Sequence, residues 1–90
     1  MPDTSKPLTL LYFAWLRERV GRAEEELPLP PGVRTVAQLM DHLAARDAAH
    51  AAAFDNRRTV RCAVNQEFAP ITTELQAGDE VAFFPPVTGG

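Results

Sequence analysis

Ninety residues with 46% apolar and 23% charged content set the scale of one domain around one core, and exclude a disordered chain. The net charge is −3 and the basic residues are eight arginines and one lysine with no dense basic stripe, so no nucleic-acid partner is expected. A chain this short leaves no room for a large cleft between domains, which weighs against an enzyme that acts alone.

Residues 1–6 are polar and are expected to be loose. Leu8, Leu10 and Tyr12 then alternate with Thr9, Leu11 and Phe13, the period of a β-strand. The apolar run Leu8–Leu16 is far too short to span a bilayer, and Arg17-Glu18-Arg19 stands where a signal peptide needs small residues, so no membrane partner is expected. The segment from Ala14 to Gly21 reads as one or two helical turns closed by a glycine. A second strand follows in Ala23–Pro30, and its three consecutive glutamates and Pro28 assign it to a sheet edge.

After the turn at Pro30-Pro31-Gly32, Thr35 and Gln38 have the spacing of a capping box at the start of the main helix. Val36, Leu39, Met40 and Leu43 form one apolar stripe on it. The helix is expected to run to about Ala48, with His50–Arg58 an alanine-rich tail or loop, and with His42 and His50 as surface histidines. Arg57, Arg58 and Arg61 read as a solvated loop and strand edge.

A third strand covers Thr59–Val64 and places Cys62 on its apolar face as a buried, inert thiol suited to a reducing cytoplasm. One cysteine excludes a disulfide framework and a multi-cysteine zinc site, and no metal site is expected. Asn65-Gln66 turns the chain into a short return strand or loop, and Gly78-Asp79 turns it again into a final strand, Glu80–Phe84. Pro85 and Pro86 end that strand because proline offers no amide to a ladder.

One long helix covers only one face of such a sheet. Leu8, Leu10, Tyr12, Val81 and Phe83 belong to the covered face, which leaves Leu11, Phe13, Ala82 and Phe84 on the other. If the first and last strands are neighbours, Leu11, Phe13 and Phe84 form an apolar patch that Phe68 joins, and contiguous exposed aromatics on a small domain mark a protein interface. Burying two phenylalanines there is worth about 3–6 kcal/mol by area, before the costs of association.

The chain has neither a phosphate-binding glycine loop nor a nucleophile with a histidine base, which leaves the α-carboxylate of Gly90 as its distinctive reactive group. Residues 85–90 read as an extended tail. Pro85 and Pro86 stiffen its start, Val87 and Thr88 give a narrow lead-in, and Gly89 and Gly90 let the backbone approach another protein's active site closely. Adenylation would supply the leaving group that a bare carboxylate lacks, and sulfur could then displace AMP.

Three segments, "LYFAWLRERVG" (Leu11–Gly21), "AVNQEFA" (Ala63–Ala69) and above all "GDEVAFFPPVTGG" (Gly78–Gly90), make this sequence resemble the small, sulfur-carrying subunits of molybdopterin synthase. The resemblance implies an α+β, ubiquitin-like β-grasp fold, with a mixed sheet of about five strands and one main helix packed on one face. It implies that a ubiquitin-activating-like enzyme adenylates Gly90 using ATP and magnesium. A sulfur donor protein would then convert the adenylate to a thiocarboxylate. The tail would insert into the large catalytic subunit, in a heterotetramer, and donate sulfur to cyclic pyranopterin monophosphate to build the dithiolene of molybdopterin. The chain would bind no cofactor itself and would not be catalytic alone. Leu11, Phe13, Phe68 and Phe84 would form the partner interface. Rival readings are a thiamine-pathway sulfur carrier, which typically lacks the Phe-Phe-Pro-Pro lead-in, a ubiquitin-like protein modifier, and a non-covalent interaction domain.

Overall fold

The computed structural model describes residues 6–86. Of the N-terminus expected to be loose over residues 1–6, residues 1–5 lie outside the described residues, as do the tail positions Val87, Thr88, Gly89 and Gly90.

Among the described residues five strands and three α-helices follow one another as β1 (Leu8–Tyr12), α1 (Trp15–Val20), β2 (Glu24–Leu27), α2 (Val36–Ala44), α3 (Ala48–Ala53), β3 (Arg61–Val64), β4 (Glu67–Ala69) and β5 (Glu80–Phe84), with one 3-10 turn at Arg57–Thr59. The strands form one mixed sheet in the order β2-β1-β5-β3-β4. β1 runs parallel to β5, and the β1–β2, β3–β5 and β3–β4 pairs are antiparallel. β2 lies at an edge, as its glutamates require. This is the β-grasp arrangement, with the C-terminal strand at the centre of the sheet.

Period-two alternation puts Leu8, Leu10 and Tyr12 of β1 and Val81 and Phe83 of β5 into the core, where Val36, Leu39, Met40 and Leu43 of α2 meet them. The capping box starts α2 as its spacing predicts: the Gln38 amide donates to Thr35 Oγ1 at 3.2 Å and the Thr35 amide to Gln38 Oε1 at 3.1 Å. The Asn65-Gln66 connection joins β3 to β4 with both residues at positive φ, 52° and 71°, the twist a two-residue hairpin needs.

Two expectations fail together. α2 ends at Ala44, not near Ala48, and the segment read as a loop contains α3. The cause is Asp47, whose carboxylate accepts the His50 amide at 2.8 Å and thereby caps a new helix in place of continuing the old one. α3 carries Ala53 and its C-cap Phe54 into the core, where Phe54 meets the Phe83 ring edge-on at 4.9 Å. His50 turns inward with them and is buried, while His42 is exposed as expected.

Candidate functional site

The sheet face opposite α2 is built by the same alternation that builds the core. Its central row runs across four strands as Leu11, Ala82, Ala63 and Phe68, each the register partner of the next. Ala63 and Ala82 are small and form a floor. Aromatics stand at the margins: Phe13 is 48% exposed and Phe68 82% exposed, an unfavourable use of apolar surface in a free protein. Phe84, half-buried on β5, reaches across the intervening β3 to place its ring 5.6 Å from that of Phe68 at 56°. Arg61 is the register partner of Phe84, and between Arg61, Phe68, Pro70 and Phe84 lies a shallow hollow.

Phe13 directly follows β1 beside the exit of β5. Its amide donates to the Phe83 carbonyl at 3.1 Å, and Ala14 then turns the chain with φ 54° and ψ −134°, a conformation costly for any residue with a Cβ. All four residues expected at an interface are therefore on one face, and Phe84 leads directly into the half-buried Pro85 and Pro86. The tail positions beyond them lie outside the described residues, so the face and the point of departure of the tail are what the fold positions.

Cys62 faces the core side. Its thiol donates to the Ala69 carbonyl at 3.1 Å, and burial pushes the thiol up from its ordinary value, away from nucleophilic use.

Sequence reasoning missed a polar cluster on the core side. The Glu25 carboxylate is buried and accepts from the Tyr12 hydroxyl at 2.8 Å and from Arg46 at 2.7 Å, and His50 Nε2 lies 2.8 Å from it. His50 Nδ1 meets Asp47 at 2.8 Å. Burial raises the Glu25 carboxyl, but the hydrogen bonds from His50, Tyr12 and Arg46 outweigh it and hold the group below the usual carboxylate range. Burial and the bond to Glu25 push the Tyr12 phenol upward. The signal was available in the strand period: Glu25 alternates with the exposed Glu24 and Glu26, and faces the same side as its register partner Leu10.

A family model described as the ThiS family matches residues 10–90. The chain belongs to the ThiS family. Among ThiS-family relatives, it is 41% identical over 83 residues to the molybdopterin synthase sulfur carrier subunit of Escherichia coli (strain K12), with 92% of this chain and 99% of that protein covered. Among solved structures it is similar to the putative molybdopterin converting factor subunit 1 of Pyrococcus furiosus, 33% identical, TM-score 0.72, covering 92% of this chain and all of that one. It is also similar to SAMP1 of Haloferax volcanii, 30% identical, TM-score 0.69, with 93% and 99% covered. The ThiS-family match extends through the diglycine end and includes every residue of the aromatic face.

Proposed function

We propose that this protein is the sulfur carrier of molybdenum cofactor biosynthesis and that Gly90 is the residue that bears the sulfur. The curated relatives, which are sulfur carrier subunits of molybdopterin synthase, support the role. The observation that carries the reading for this chain is the path of β5, which presents Phe84 on the open aromatic face and then runs through Pro85 and Pro86 toward Gly90. Docking through the face thus fixes where the tail departs.

The Gly90 carboxylate attacks the α-phosphate of ATP in a ubiquitin-activating-like enzyme, where magnesium screens the phosphates, and pyrophosphate leaves. A sulfur donor protein then delivers sulfide-level sulfur, which attacks the acyl carbon; the acyl–oxygen bond to AMP breaks, AMP leaves, and a thiocarboxylate remains. Pro85, Pro86, Val87, Thr88 and Gly89 thread that group into the large subunit of molybdopterin synthase, within a heterotetramer. There the sulfur passes to cyclic pyranopterin monophosphate, and water cleaves its bond to the acyl carbon to return the Gly90 carboxylate. The word subunit in the relatives' names supports such a partner. Activation by ATP and reduced sulfur chemistry suit the cytoplasm, and no helix among the described residues is long and apolar enough to cross a membrane.

Intact-mass analysis tests this directly. Incubation with the activating enzyme, ATP and a sulfur source should add the mass of one oxygen-for-sulfur exchange, and deletion of Gly90 should abolish it with thermal unfolding unchanged. A full-length chain that never gains that mass would refute the carrier role.

A further inference from the structure

Arg61 places a positive charge at the rim of the aromatic face, and nothing among the described residues neutralises it. It borders the hollow shared by Phe68 and Phe84. Its Nη1 donates to the carbonyls of Arg58 at 3.0 Å and Val60 at 3.4 Å, which holds the guanidinium near the strand instead of letting it swing into solvent. Arg57 is different, being paired with Asp41. Among the described residues neither Arg58 nor Arg61 forms an ion pair. At the opposite margin β2 presents the exposed Glu24 and Glu26, register partners of Leu11 and Thr9. The open face therefore runs from an acidic edge, over an apolar floor, to a basic corner, in a chain whose net charge is −3.

We propose that Arg61 is a specificity-determining contact that receives a carboxylate from the large subunit of molybdopterin synthase when that subunit covers the aromatic face. The proposal rests on the carrier reading above. A guanidinium beside surface that becomes buried loses hydration and needs an anionic partner to offset the loss. With Nη1 committed to two carbonyls, the Nε and Nη2 hydrogens are left along one in-plane edge of the guanidinium, the arrangement that grips a carboxylate with two parallel bonds. The acidic edge at Glu24 and Glu26 favours the same orientation of the partner and opposes the reversed one, because like charges would then meet.

The test is the affinity and association rate of the full chain with its cognate large subunit at low and high salt. The variants are Arg61→Leu and Arg61→Glu, with thermal melts showing that both fold. Arg61→Glu should weaken binding about tenfold or more at low salt, chiefly through the association rate, and the gap should narrow as salt screens the charges. Arg61→Leu should fall between it and the wild type. Unimpaired binding by Arg61→Glu, a loss that salt does not narrow, or a defect confined to adenylation or to self-association of the carrier would overturn the proposal. Wild-type chain that fails to bind the large subunit would overturn the parent reading and this contact with it.

Discussion

His50 and Glu25 are 25 positions apart in the chain, yet Nε2 of one lies 2.8 Å from Oε2 of the other inside the core. His50 stands between two carboxylates, with Nε2 at Glu25 and Nδ1 2.8 Å from Asp47. The contact ties the edge strand β2 to α3, while the Tyr12 hydroxyl on the same oxygen ties both to β1.

Stability should consequently fall in acid, and Glu25→Gln should show how much of the fall belongs to this group. Glu25 titrates below its ordinary value in the folded state, so its contribution is fully present above the unfolded value of about 4.3 and is lost as pH drops through the folded one. The lowered Asp47 acts in the same direction, its first cause being the hydrogen bond from the His50 backbone. Breaking a buried charge network by removing one member costs about 3–5 kcal/mol. Urea denaturation at neutral pH should place Glu25→Gln toward the lower part of that range, since the amide keeps one acceptor, and the difference from wild type should shrink steadily below about pH 4. A gap that is the same at every pH would mean that shape, not charge, sets the cost.

Phe68 and Phe83 should separate binding from folding. Phe68→Ala removes a ring that is 82% exposed, so it should change stability by less than about 0.5 kcal/mol while weakening the complex with the large subunit about tenfold or more. Phe83 is fully buried against Tyr12 and Phe54, and Phe83→Ala should cost about 3–5 kcal/mol of stability. Paired unfolding and titration measurements check both, and a destabilised Phe68→Ala would assign that ring to the core.

Ala14 holds a conformation that glycine adopts without penalty, and its side chain is exposed. Ala14→Gly should therefore raise stability by about 1 kcal/mol, read as an upward shift of the unfolding midpoint. The same substitution frees the turn that sets Phe13, so association with the partner should slow even as the fold strengthens. A fall in stability would show that the turn is not strained.

The covered and open faces were legible because they depend on local alternation: Leu8, Leu10 and Tyr12 on one side, Leu11 and Phe13 on the other. The same holds for the start of α2, where Thr35 and Gln38 are three residues apart. What escaped was decided by distant partners. The alanine-rich segment after α2 carries no apolar stripe, and it becomes α3 because Asp47 caps it and because Phe54 finds Phe83. His50 looked like a surface residue because its partner Glu25 lies 25 positions away in the chain, and Glu25 was read with Glu24 and Glu26 as one edge run although only those two are exposed. The Gly90 carboxylate was singled out by elimination and by the slim lead-in before it, whereas the pathway it serves came through resemblance.

The central position of β5 also bears on how the protein behaves as a machine part. A tail drawn into another protein's active site pulls on the strand behind it. Here that strand is held along both sides, by β1 in parallel and by β3 in the opposite sense. A pull along its axis at Phe84 is shared by both ladders at once and loads them in shear, whereas a strand at a sheet margin could be peeled away one bond at a time. A load applied beyond Phe84 must therefore break both ladders together before the fold gives way.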